Sequence, residues 1–391
     1  MGGGCDTSAG DGLRWECGRG LSAIEALANA WNGLSRASPL PPWSDATWMR
    51  CYWEAFGSAD RDLVVHALFE GRTLVAVLPL VWRPGLLPTW RHAGNSHTSY
   101  WVIAAEAARL ASVAGEALDH LLGRASVLDV RPVHSRGLIA GAFLTGARRR
   151  GLHAAIDDYT GDVLTEIPTS WEACRASLSK NVRSDTGRKL RRLQSAGRLE
   201  FDTVEGGDRL DSVLAECFEL ETLGWKAQRG SPISSTPETL KFYTDLAHAL
   251  ARERRLAIYT LRLDSRLIAF EYCMRGQGTI EMLKLSFDPA LSSHSPGNVL
   301  RYYLLEKEAE QGEIQTYHLG RPADASGWKL RWASRVDPMG RLRIFGRGVR
   351  PSLAYRCGPA LRETLKRNPL LLHSVRWVRR LAARRRGGMA G

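Results

Sequence analysis

The chain has 391 residues, 44% hydrophobic and 24% charged, a globular composition long enough for two domains that each bury a core. Seven cysteines (5, 17, 51, 174, 217, 273 and 357) are odd in number, scattered and never spaced C-x-x-C, so neither a disulfide framework nor a zinc site is indicated, no metal is expected, and a reducing cytoplasm fits. The net charge of +13 resides in residues 341–391, where fourteen Arg/Lys accompany one acid, Glu363, whereas residues 1–340 are balanced at 40 basic and 40 acidic.

Residues 1–38 are rich in Gly, Ser and Ala and read as a variable leader with one helix, Leu21–Leu34; order is expected from Leu40-Pro-Pro-Trp onward. No basic segment followed by an apolar run marks a secretory signal. A helix over Asp45–Phe56 with Asp45 as N-cap is followed by strands Leu63–Glu70 and Thr73–Trp82 joined at Gly71. This apolar stretch alternates and is interrupted by His66, Glu70 and Arg72, so it is no transmembrane helix. Residues 84–100 read as loop, then come an alanine-rich helix, a strand Val127–Val130 and a helix near Ser135–Gly151. A strand Thr160–Ile167 leads to Ser170, an N-cap, and to a basic helix that carries eight Arg/Lys between Arg175 and Arg198 and stops at Gly197. Strand 199–205, helices 210–223 and 238–252, and strands 256–263, 267–274 and 279–286 follow. Helix Gly297–Gln311 and strand Ile314–Leu319 complete the pattern. In the tail, Leu371, Val375, Val378 and Leu381 fall at helical spacing with arginines mostly elsewhere on the wheel; residues 369–386 can lie on an anionic membrane, touch RNA, or dock by their apolar face.

Arg266–Gly312 is the most informative stretch. Two strands lead through Phe287-Asp288-Pro289 to Ser295-Pro296-Gly297-Asn298, where a long helix opens. A helix start of this kind presents free N–H groups and a positive dipole end to an anion, and so suits a phosphate-bearing cofactor. Trp171, the Leu178-Ser-Lys-Asn-Val-Arg…Arg191-Arg-Leu run, Gly224-Trp225-Lys226 with Gly230, Leu283-Lys284…Asp288, Ser295 to Leu300, Gly312, Gly320 and Trp328-Lys329…Trp332 together resemble the GNAT superfamily of N-acyltransferases. Within it the resemblance is to the CelD-like branch found beside bacterial envelope-polysaccharide genes, related to the Fem-type aminoacyl transferases. It covers residues 40–340 by order of elements and is strongest over 170–332.

The resemblance implies an α/β (α+β) protein of two GNAT-like modules, each a mixed twisted sheet flanked by helices. Residues 39–159 form the degenerate one, 160–345 the acyltransferase domain, and 346–391 a basic tail. It further implies an acyl-CoA donor such as acetyl-CoA. The pantetheine would lie along Thr279–Ser286 and the pyrophosphate at Ser295, Pro296, Gly297 and Asn298, with Arg301 one turn further in. The usual Arg/Gln-x-x-Gly-x-Gly/Ala loop is absent, which leaves a charged tRNA as an alternative donor. His318 stands where the branch more often carries Asp.

Acyl transfer to an amine needs a base, an oxyanion donor and a proton for the leaving thiolate. On strand 267–274, Ile268, Phe270, Tyr272 and Met274 form one apolar face. Glu271 shares the other with small Ala269 and Cys273, which makes it the first candidate base, with Glu281 second; either can equally be a solvent-facing strand Glu. Asp288 orients the amine or caps the turn before Pro289. Lys284 flanks the same strand end and joins the cofactor set. Tyr302, Tyr303 and Tyr317 are candidate proton donors. Trp225, Lys226, Trp328 and Lys329 are candidate acceptor contacts, though with 13 tryptophans most serve packing. The expected activity is transfer of an acyl group to an amine, with an amino sugar of an envelope or exopolysaccharide precursor as acceptor, in the cytoplasm or at the inner membrane face. The rivals are a tRNA-dependent peptide-bond former and a non-catalytic binding protein in polysaccharide assembly.

Overall fold

The computed structural model describes residues 12–38, 40–57, 62–223, 233–321 and 327–357. The first half comprises β1 (Leu13–Arg19), α1 (Gly20–Ala37), α2 (Ala46–Phe56), β2 (Leu63–Glu70), β3 (Thr73–Arg83), β4 (Thr89–His92), β5 (Ala104–Ala105), α3 (Leu110–Leu122), β6 (Val127–His134), α4 (Leu138–Arg149) and β7 (His153–Glu166). The second comprises α5 (Trp171–Ser177), α6 (Lys180–Ala196), β8 (Leu199–Val204), α7 (Leu210–Leu223), α8 (Pro237–Arg252), β9 (Leu256–Leu263), β10 (Arg266–Gly276), β11 (Thr279–Phe287), α9 (Pro296–Gln311), β12 (Thr316–Gly320) and β13 (Arg335–Phe345). Order begins well before Leu40, contrary to the leader expectation: β1 pairs along β2 and α1 buries Ile24 and Trp31. Among the described residues no helix is long and apolar enough to cross a membrane.

The thirteen strands form one sheet in the order β1-β2-β3-β4-β6-β13-β7-β12-β11-β10-β9-β8, with β5 against β3. From either edge inward the plan is the same: four antiparallel strands, one parallel step (β4 with β6, β11 with β12), then an antiparallel closing strand. The two modules are therefore visible in topology although no repeat shows in the letters. Their closing strands are exchanged. β7, at the end of the first half, closes onto β12, while β13, at the end of the second, closes onto β6, and the two pair with each other from Arg335↔Leu164 to Phe345↔His153. β13 lies in the middle of the sheet despite Pro338, because register shifts on both sides of Gly340 absorb the irregularity. A Cβ at Gly340 would sit 2.8 Å from the Asp157 carbonyl oxygen.

Helices α1, α2, α7 and α8 cover one face of both halves with a shared core. On the other face two cores are separate, one under α3 and α4 and one under α5, α6 and α9. The shared core is sealed by aromatic contacts: the Phe242 ring of α8 lies 5.2 Å from Trp48 and 5.2 Å from Phe56 of α2. Beside it Arg255 donates to Asp45, the N-cap of α2, and to the Pro42 carbonyl.

Because the halves share a core and exchange strands, urea should unfold the full chain in one transition. Phe242→Ala should lower its stability by about 3–5 kcal/mol without splitting that transition. Two resolved transitions, followed by fluorescence and circular dichroism, would show the halves to be independently stable.

Candidate active site

The parallel pair β11 and β12 is hydrogen-bonded only over Thr279↔Thr316, Ile280↔Tyr317 and Glu281↔His318. Beyond that point β11 continues to Phe287 without pairing to β12, so the strands part into a V whose apex is Glu281 and His318. Two residues past the apex, a register shift against β10 at Tyr272/Cys273 leaves Leu283 as an extra residue, a bulge beside the point where the strands part. The corresponding split of the first half is filled by its own chain: the Trp101 N–H donates to the Pro132 carbonyl at 2.7 Å, and Trp101 is buried.

At the far end of the V, α9 begins at Ser295, whose φ of 48° lies in the left-handed region, and no side chain caps the helix. Pro296 has no N–H, Asn298 and Val299 donate to the Ser295 carbonyl, and Gly297 is the first-turn N–H that finds no backbone acceptor. Among the described residues a Cβ on Gly297 would meet only the Phe287 ring, at 3.6 Å, so there is room beside this residue. α6 runs alongside: Lys189 Nζ donates to the Ser293 carbonyl at 2.5 Å. These residues fit an anionic phosphate group held by a helix start in a basic surrounding.

Two polar clusters occupy opposite faces of the sheet at the split, because Tyr317 and His318 are consecutive in one strand. On the α9 face, Glu271 accepts from Arg301 and from the Tyr317 hydroxyl, and Glu271, Arg301 and Tyr317 are all fully buried. The guanidinium is stacked 4.6 Å from the Trp328 ring and 5.4 Å from that of Trp332. Burial pushes the Glu271 carboxyl up, and Arg301 and Tyr317 pull it back. The room that Ala269 and Cys273 leave beside Glu271 is thus faced by Arg301, not by an open substrate space. Arg301, expected at the cofactor phosphates, points inward.

On the opposite face Glu281 is buried, its Oε1 accepting from Ser99 and its Oε2 lacking a hydrogen-bond partner. Burial holds its carboxyl up, at about 8, against the pull of His318, whose Nδ1 is 3.9 Å from Oε2. The same Nδ1 is 3.2 Å from Asp162 Oδ2, which also meets His134 Nε2 at 3.1 Å. Burial works against ionisation of Asp162, but hydrogen bonds from the two histidines overcome it and hold its carboxyl down, at about 2. His318 is raised by Asp162 and Glu281 in spite of its burial. His134 alone of this chain of groups is appreciably open to solvent, with its side chain 19% exposed. Lys329 donates to the Leu319 and Arg321 carbonyls at the end of β12, and burial lowers its ammonium to about 8.

The remaining candidates lie elsewhere. Asp288 accepts from the Ala290 N–H and pairs with Arg266 at 2.7 Å, so it caps the turn. Lys284 lies 5.1 Å over the Tyr243 ring, on the α8 side. Tyr302 packs edge-on against Trp171, and Tyr303 stacks on Phe201, both on the outer side of α9. Trp225, Lys226 and the tail 369–386 fall outside the described residues. Sequence reading missed Ser99, His134 and Asp162. Only Asp162, a carboxylate inside the apolar run of β7, leaves a local signal, since its partners come from strands distant in sequence.

Residues 180–330 match the acetyltransferase (GNAT) domain family. This chain carries a GNAT domain. The solved structures similar to it include FemX, at 11% identity over 84% of this chain and 97% of that one with a TM-score of 0.58. Another is the C-terminal domain of a putative lysylphosphatidylglycerol synthetase from Agrobacterium fabrum, at 13% identity over 86% and 96% with a TM-score of 0.52. At such identities they share the fold. No curated protein matches the chain by sequence. The GNAT domain thus supplies the parted strands and the helix start of an acyltransferase fold, and the first half adds Ser99 and His134 at its apex.

The sign of the Glu281 titration gives a test. An acid whose folded pKa exceeds its unfolded value of 4.5 keeps its proton preferentially when folded, so stability is full below that value and falls as pH rises to about 8. Glu281→Gln removes this loss. Its Tm relative to wild type should therefore climb between pH 5 and pH 9; a difference that does not vary with pH would contradict the assignment.

Proposed function

We propose that the protein is an acyl-CoA-dependent N-acyltransferase in which Glu281, rather than Glu271, serves as base toward an acceptor amine. The observation that carries this reading is the carboxylate with one unpartnered oxygen at the apex where β11 and β12 separate. From there β11, no longer paired with β12, runs six residues to Phe287, on the order of 20 Å, the length scale of an extended pantetheine arm. At its end the Gly297 amide and the α9 dipole receive the donor's phosphates, with Lys189 and the other basic residues of α6 beside them.

In this scheme the bulge at Leu283 turns a backbone N–H toward the thioester oxygen as charge develops there. Glu281 takes the proton from the amine as the C–N bond forms and the C–S bond breaks. That proton passes on to the departing thiolate, so that amine and thioester become amide and thiol, while Asp162, bridging His318 and His134, holds His318 beside Glu281. A base poised near 8 suits an amine, whose own ammonium form must lose a proton before attack. The acceptor is proposed to be an amino sugar or sugar-linked envelope precursor, on the strength of the family resemblance. The basic tail is proposed to bring the enzyme to an anionic membrane surface. Basic α6 beside the helix start also favours a second reading with charged tRNA as donor.

Thiol release from acetyl-CoA with a panel of amino sugars tests the reading, and kcat/KM should rise with pH to a plateau above about 8. Glu281→Gln should cost 10²–10⁴-fold in kcat, roughly the usual share of a general base, and leave CoA affinity unchanged. Near-normal turnover in that variant would remove Glu281 from the mechanism. Gly297→Leu should fold normally and bind CoA at least about tenfold more weakly by calorimetry, since a Cβ is accommodated there but the added side chain crowds the helix start. Turnover that requires charged tRNA and is abolished by RNase would select the second reading.

A further inference from the structure

A separate cluster of ligating groups lies in the first half, where β1, β2 and α3 meet. Cys17 and His66 are direct cross-strand partners in the β1–β2 register, so their side chains project from the same face of the sheet. His120, in the last turn of α3, reaches that face. Three atoms converge: Cys17 Sγ is 3.4 Å from His66 Nδ1 and 3.5 Å from His120 Nε2, and the two nitrogens are 3.0 Å apart. Bonds of about 2.3 Å to sulfur and about 2.0–2.1 Å to nitrogen at tetrahedral angles would set these edges at about 3.3–3.6 Å. The triangle is thus close to one face of a zinc coordination tetrahedron.

The imidazoles are held in place by rings. Trp15, two residues from Cys17 on β1, stacks on His120 with centroids 4.5 Å apart and planes 10° from parallel. Trp90 meets His66 edge-on at 4.6 Å. His66 is buried, whereas Cys17 and His120 are partly exposed, which leaves an approach for an ion and for a fourth ligand from solvent. In the sequence the three residues are separated by 49 and 54 positions, so no local motif announces them and the scattered cysteines gave no hint of a metal.

We propose that Cys17, His66 and His120 bind one zinc-like divalent ion in a three-ligand site with an open fourth position, distinct from the acyl-transfer site. The ion is held by thiolate sulfur and two neutral imidazole nitrogens; the Cys17 thiol gives up its proton to solvent on binding, with no change of oxidation state. The mixed sulfur and nitrogen donor set, without carboxylates, selects zinc or cobalt over magnesium or calcium. It ties an edge strand to α3 across the first half, a structural use of the metal.

Titration of the untagged full chain with cobalt(II) alone tests this. One equivalent should bind, with a thiolate-to-cobalt charge-transfer band and the intense visible bands of tetrahedral cobalt, both displaced by zinc. Cys17→Ser should abolish the charge-transfer band even though the other six cysteines are present. His120→Ala, at a partly exposed position, should weaken binding at least about tenfold. Both variants should keep the wild-type circular dichroism in the absence of metal, and zinc should raise the Tm of the wild type only. Failure of the wild type to take up one equivalent of cobalt or zinc, or an unchanged charge-transfer band in Cys17→Ser, overturns the proposal.

Discussion

Two neighbouring strands that hydrogen-bond for three residues and then separate set the terms for the rest of this molecule. A parallel pair needs a crossover connection, and here that connection is α9, whose start therefore falls at the wide end of the gap. Parting the strands ends the ladder between β11 and β12 after three residues, so the backbone groups of β11 beyond Glu281 need partners other than β12. The fold tolerates this because β10 holds β11 along its entire other edge and α9 packs across the back. In the first half the chain itself takes the place beside the parallel pair, where the Trp101 backbone N–H donates to the Pro132 carbonyl of β6.

The apex is a place where charge is retained at a cost. Ser99 by hydrogen bond and His318 by charge each offset part of the burial of Glu281, whereas the Asp162 carboxylate adds to it. Glu271, on the other face, has its burial met by a buried guanidinium and a hydroxyl. One carboxylate is thereby fully engaged and the other is left with an unused oxygen. Removing Arg301 would strand the first; no comparable partner closes off the second.

Much of the second half was legible in the letters. Alternation and the turn residues Asp264-Ser265 and Gln277-Gly278, all at positive φ, mark the β9–β10–β11 meander, and Pro296 with Gly312 frames α9. What failed was whatever depended on distant partners or on broken local rules. Pro338 and Gly340 disguised β13 as loop, and the glycines around β1 disguised an edge strand. The basic run 175–198 read as one helix because neither Pro nor Gly marks the break at Leu178-Ser179, where Ser179 caps a second helix. Periodicity put Glu271 on the correct face, but the arginine filling that face is 30 residues away, and the hydroxyl that meets Glu281 is 182 residues away. A carboxylate's strand face is a local property; its neighbours are not.

The exchange of closing strands bears on how the chain can be made. β6 emerges from the ribosome roughly two hundred residues ahead of β13, its neighbour in the finished sheet. At ordinary elongation rates that is on the order of 10–40 s during which an apolar strand waits with an unpaired edge. Helices α3 and α4 shield one of its faces in the meantime, but its edge waits for β13. Completion of the sheet accordingly waits until β13 has been made, and a product that stops before it leaves open the seam that this strand closes.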